Sequence, residues 1–169
     1  MASLGLLLLF PFLMAYAAAN DLLTMLIPNR ISLALTAAFA AVAAAAGLGL
    51  PEIASHVGAG AATLCVTFLM FSLRLIGGGD AKLASATALW MGFDHLVAYA
   101  LTASALGGLL TLMIIVARAQ PVLPASIGRL PFACRLHDDR TGVPYGIALA
   151  LAALLVLPET SIWSRGLGS

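Results

Sequence analysis

The sequence predicts an all-α, polytopic membrane protein with about six transmembrane helices and both termini external. Three observations carry this prediction. Of 169 residues, 62% are hydrophobic and only 9% charged, and the mean hydropathy is +1.07. A soluble domain is roughly 45–50% apolar and about 25% charged. The apolar residues also gather into about six stretches that approach or exceed the ~17–20 residues needed to cross a ~30 Å hydrocarbon core. Finally, strict alternation of these stretches puts Arg30, Arg74, Lys82, Arg118, Arg129, Arg135 and Arg140 on one side, and only Arg165 on the other. By the positive-inside rule the first side is cytoplasmic.

The first stretch, Ser3 to Ala19, has a small-x-small pattern at Ala15-Tyr16-Ala17 like a signal-peptide cleavage site. Met1 to Ser3 offers no Lys or Arg for a positive n-region, so we read a retained helix, kinked at Pro11. It ends at Asn20-Asp21, and a polar turn runs from Thr24 to Arg30. The second stretch, Ile31 to Leu50, is rich in alanine, which lets helix backbones approach closely in lipid. Pro51-Glu52 ends it. The third runs from Ser55 to Ile76, with Arg74 placed to snorkel. Gly77-Gly78-Gly79 then breaks the helix.

The fourth stretch, Ala81 to Phe93, is short for a crossing, and the fifth runs from Leu96 to Ala117 with Gly107-Gly108 as a close-packing point. Residues 118–142 form a cytoplasmic loop, its arginines placed to set topology and attract anionic lipid. The sixth stretch runs from Val143 to Leu157, and residues 159–169 read as a loose tail. The whole of 1–169 forms a single transmembrane domain.

The chemistry concentrates at Asp80, which follows three glycines at the junction of two apolar runs. An ionisable group at the edge of a hydrocarbon slab is costly and reads as functional, with a partner to be sought. Asp21 closes another apolar run, and alternation puts it on the same side. Two carboxylates about 3 Å apart cannot both ionise easily. One then takes a proton from water while the other donates to a scissile carbonyl, as an intramembrane aspartyl protease requires. Adjacent glycines would admit water and a locally extended substrate. The competing structural role for Asp80 is to cap its helix, and for Asp21 to pair with Arg30 or Lys82. A proton or ion relay would need an acid in mid-crossing, and neither acid stands there.

At these residues the chain resembles a known family. Asp21, followed after six residues by Pro28-Asn29, is similar to the first catalytic motif of the type IV prepilin peptidases. Gly77-Gly78-Gly79-Asp80-Ala81-Lys82 resembles their second, G-x-G-D followed by Lys, and Val143-Pro144-Tyr145-Gly146-Ile147-Ala148 resembles the entry to their last helix. The ordered matches span about residues 21–157.

The resemblance implies an endopeptidase of the bacterial inner membrane that needs no cofactor. It would remove the short leader of a prepilin after a glycine, at the cytoplasmic edge of the pilin's apolar helix. Asp21 and Asp80 take the catalytic positions. Gly77, Gly78, Gly79, Lys82, Pro28 and Asn29 take supporting ones, Lys82 in structure or leader positioning. The cysteine-rich insert of larger bifunctional relatives has no counterpart before Asp21, so methyltransferase activity is not supported. The compact form resembles the peptidases of tight-adherence (Flp) pili. Where relatives often carry arginines, Leu22 to Leu26 is apolar apart from Thr24.

The expected partners are a prepilin and membrane lipids. A net charge of +1 and the lack of a basic run point away from nucleic acid. Cys65 and Cys134 form no C-x-x-C and read as small fillers. His56 and His95 read as external-loop residues, opposite His137, so no metal site is expected. Asp94 falls on the side away from Asp21 and Asp80, and Trp90 and Trp163 read as interfacial. The competing function is a non-enzymatic membrane protein, either a transporter or a pilus-assembly component with structural acids.

Overall fold

The computed structural model describes residues 2–119, 131–139 and 141–166, in which the regular structure is helical throughout. The elements are α1 (Ala2–Thr24), α2 (Asn29–Ala45), α3 (Leu50–Ser72), α4 (Gly78–Arg118), α5 (Pro131–His137), α6 (Tyr145–Val156), a 3-10 turn (Leu157–Glu159) and α7 (Ser161–Gly166). Three of these are long and apolar enough to cross a membrane, within Leu7–Thr24, Leu50–Ser72 and Gly78–Arg118. Arg129 and Arg140 lie outside the described residues, as do 120–130 of the expected loop.

If straight, the 41 residues of α4 would extend about 60 Å, twice the hydrocarbon thickness. They reverse instead at Gly92, where φ is 65° and ψ 177°. That region is essentially closed to side-chain-bearing residues, and a Cβ there would also meet the His56 ring at 3.2 Å. The legs, residues 78–91 and 93–118, run back along one another: Thr87 lies beside the Tyr99 hydroxyl, and Ala84 and Tyr99 face a common cavity. The first leg rises about 21 Å, the short segment expected from the sequence. Lacking a polar loop, the reversal needs only a glycine.

α3 packs antiparallel to the first leg. A Cβ on Gly58 would touch Phe93, one on Gly60 would touch Leu89, and the Thr67 hydroxyl donates to the Ala81 carbonyl. The core lies between α1, α2, the first leg and α6, around fully buried Trp90. The Trp90 ring sits 4.7 Å from Phe10 and 6.0 Å from Phe39. Its indole N–H donates to the Leu35 carbonyl at 3.0 Å, satisfying the one polar atom the ring brings inside. Leu149, Ala150, Ala152 and Ala153 of α6 complete the packing. Alanine lets α6 sit close to its neighbours, as small residues do in lipid.

Several expectations are corrected by this packing. His56 is a buried helical residue, its Nδ1 donating to the Leu89 carbonyl at 2.9 Å, because the first turns of α3 face α4. Trp90 is a core residue rather than an interfacial one. Cys65 and Cys134 are exposed on their helices and fill no core gap. Residues 159–166 are not loose. Ile162 is fully buried, and Arg165 forms a two-pronged ion pair with Glu52. The helix limits also shift: α1 runs past Asp21 to Thr24, α2 ends at Ala45, and α3 begins at Leu50.

Candidate active site

The end of α1 and the starts of α2, α4 and α6 meet at the end of the bundle opposite Arg165. The last turn of α1 carries Asp21. Beyond it Met25 adopts φ 57°, a left-handed helix stop, with its N–H donating to the Asp21 carbonyl at 2.8 Å. The Asn20 amide donates to the Leu26 carbonyl at 2.6 Å and holds the turn closed. Pro28 then opens α2 in an extended conformation. A residue before proline is steered to extended backbone as well, so Ile27 is carried across the bundle end rather than coiled back onto α1.

Ile27 lands between two glycines. A Cβ on Gly79, in the first turn of α4, would lie 3.1 Å from the Ile27 Cβ. A Cβ on Gly146, in the first turn of α6, would lie 2.8 Å from the Ile27 Cδ1 and 2.8 Å from Asp21 Oδ2. The bare faces of Gly79 and Gly146 thus let α1, α4 and α6 converge on one isoleucine. The Gly146 N–H donates to Asp21 Oδ2 at 2.7 Å. Asp21 is consequently 5% exposed, tethered to a helix 125 residues away, and pairs with neither Arg30 nor Lys82.

Asp80 occupies the first turn of α4 and accepts a hydrogen bond from the Gly77 N–H. α4 begins at Gly78 with Gly77 as its N-cap, so Asp80 reaches back from the third helical position rather than capping the helix from outside as expected. Its carboxyl also faces an apolar cavity and lies within electrostatic reach of Asp21. The three glycines do not leave a bare channel in the direction a side chain would take. Asp80 occupies that space at Gly77, Phe71 at Gly78 and Ile27 at Gly79. Their smallness admits the protein's own neighbours.

Lys82 Nζ donates to Asn29 Oδ1 at 2.8 Å, clamping the start of α2 to the first leg on the exposed side of the site. Arg118 and Arg135 stand at the same end. Arg118 donates to the carbonyls of Leu136, Thr141 and Gly142, and Arg135 to that of Leu23 at 2.7 Å. Asp94 and His56 are at the far end, beside Ser55 and Phe93. No cluster of metal-ligating side chains occurs among the described residues. The roles of Ile27 and of the Gly146 N–H do not follow from the sequence pattern. The match of Val143 to Ala148 marks the position of Gly146 without the reason.

The molecule is thus a helical membrane protein with two acids drawn together at one bundle end. A family profile described as the type IV leader peptidase family matches residues 8–112. The chain belongs to that family, which makes it a leader-peptidase-type protease. No curated protein and no solved structure matches it.

Proposed function

We propose that Asp21 and Asp80 are the catalytic carboxylates of an aspartyl endopeptidase. It removes the short leader of prepilin-type substrates after a glycine, at the cytoplasmic face of the bacterial inner membrane. The observation that carries the proposal is their convergence: two acids from distant helices, within electrostatic reach, one buried and the other at the wall of an apolar cavity. A helix cap alone gives no reason for Asp21 to be there.

In this reading one ionised carboxylate removes a proton from water as the water oxygen bonds to the scissile carbonyl carbon. The protonated carboxyl gives its proton to the carbonyl oxygen, forming a tetrahedral diol. The first carboxyl then passes its acquired proton to the amide nitrogen. The C–N bond breaks, and a diol hydroxyl proton returns to the second carboxylate as the new acid carbonyl forms. The pair ends as it began, sharing one proton.

The six crossings would be α1, α2, α3, the two legs of α4 and α6, with both termini external. Arg30, Lys82, Arg118 and Arg135 would then stand with the acids on the cytoplasmic side, in keeping with the positive-inside rule. A tight-adherence pilin is the substrate class this compact form favours. A relay function gains no support, since both acids lie in terminal helix turns.

The test is cleavage of a co-expressed prepilin, read as the mass of the pilin. Wild type should trim it, and Asp21→Asn or Asp80→Asn should each abolish trimming while still inserting in the membrane. Normal trimming by either variant overturns the assignment.

A further inference from the structure

Beside Asp80 the bundle is not filled. A cavity of about 400 Å³ lies between α3, both legs of α4 and the start of α6. Ala62 and Val66 of α3 and Ala100 and Ser104 of the second leg wall it, and Asp80 and Tyr145 stand at the end nearest the acids. Small residues keep it open: Ala62, Ala100 and Ser104 are all exposed to it rather than packed. Tyr145 is held in place because Gly107 has no side chain. A Cβ there would lie 2.1 Å from the Tyr145 ring.

Resting on the protease reading above, we propose that this cavity is the subsite for the first apolar residues following the scissile bond. They enter as extended chain, and Ala62, Ala100 and Ser104 limit how bulky they can be. Three features of the cavity lead there. It contains a carboxyl that must come within hydrogen-bond reach of the scissile carbonyl, so the chain to be cut enters here. Its walls are otherwise almost wholly apolar, which matches the apolar side of a leader junction. Its volume is at the lower end for ligand pockets, so it holds a few side chains and not a whole spanning helix.

Extension is also what the chemistry needs, because a helical carbonyl is already bonded within its own helix. A lipid tail would suit the walls but would offer nothing to a half-buried carboxyl, whereas an extended backbone brings its own N–H groups.

The experiment uses the full chain in lipid nanodiscs with two leader-junction substrates, carrying Phe or Ala at the first position after the cut. Ala100→Phe and Ala62→Phe should each raise the Ala-over-Phe ratio of kcat/KM by about tenfold or more, the scale at which a pocket discriminates by size. Leu112→Phe, an equally exposed site facing away from the cavity, should leave the ratio unchanged. A photoreactive residue at the same substrate position should crosslink to α3 or to residues 93–118. An unchanged ratio in both cavity variants, or crosslinks to lipid alone, overturns the subsite. Failure of wild type to cut either substrate instead overturns the protease reading itself.

Discussion

Gly146→Ala tests the geometry most sharply, because it adds one methyl group and removes no chemistry. The new Cβ would sit 2.8 Å from Asp21 Oδ2, 3.1 Å from its Cγ and 2.8 Å from the Ile27 Cδ1. Ordinary Cβ contacts begin near 3.4 Å, so Asp21 must retreat by about 0.6 Å. Retreat lengthens the 2.7 Å bond from the Gly146 N–H, a contact whose loss costs about 1–3 kcal/mol. Displacing a reacting group by about 1 Å can lower the rate some hundredfold. Taken together, kcat should fall about 10- to 100-fold, with KM little changed because Gly146 does not line the cavity beside Asp80.

Purified variant and wild type would be compared on a leader-junction peptide, with helical content followed by circular dichroism. Gly108→Ala is the control: its Cβ meets nothing within 4 Å, and alanine is the better helix former. Wild-type turnover by Gly146→Ala would refute the claim that this close approach positions Asp21.

Asp21→Asn and Asp80→Asn should each lower kcat by at least the 10²–10⁴-fold associated with a general acid or base, with thermal stability measured alongside to confirm folding. Lys82→Met removes the bond to Asn29 on an exposed face. It should cost about 1 kcal/mol or less in denaturant titrations and leave most activity, so complete loss would mean that Lys82 takes part in the chemistry. Gly92→Ala forces a side chain into φ 65° and against His56. It should destabilise by about 1–3 kcal/mol, seen as a lower melting temperature with kcat per folded molecule unchanged.

The approach of Asp21 to Asp80 was legible because successive apolar stretches of a helical bundle alternate in direction, which brings the end of the first stretch and the start of the fourth to one bundle end. Lys82 and Asn29 were legible as motif members, though only the fold makes them partners.

What stayed hidden has one physical character: contacts chosen by shape rather than by pattern. Ile27 is an ordinary apolar residue in a short turn, and its position between Gly79 and Gly146 depends on three helix ends meeting. The sequence pattern puts the break between the fourth and fifth stretches after Phe93, with His95 in an external loop, whereas the chain reverses at the single positive-φ residue Gly92 and both Asp94 and His95 are helical. His56 looked like a loop histidine because one polar side chain says nothing of the Leu89 carbonyl 33 positions away. Arg165 and Glu52 likewise find each other only when α7 folds back.

Capping and catalysis make different demands on Asp80. The cap needs only an acceptor for the Gly77 N–H, which the amide oxygen of Asn, the same length as Asp, also supplies. Nothing in that role calls for an apolar cavity on the other side of the carboxyl, or for a second acid tethered by a backbone N–H from the start of α6. Burying a carboxyl among apolar walls costs stability unless it is fully partnered. A cap could avoid that cost by facing outward, as Glu52 does where it accepts from the Gly49 N–H on the exposed surface. The same capping geometry therefore occurs at both ends of this bundle, and only one of them is turned inward to meet another acid. An Asp80→Asn protein that melts like wild type and cleaves nothing would assign that inward turn to chemistry. Wild-type cleavage by the same variant would return Asp80 to the role Glu52 already fills.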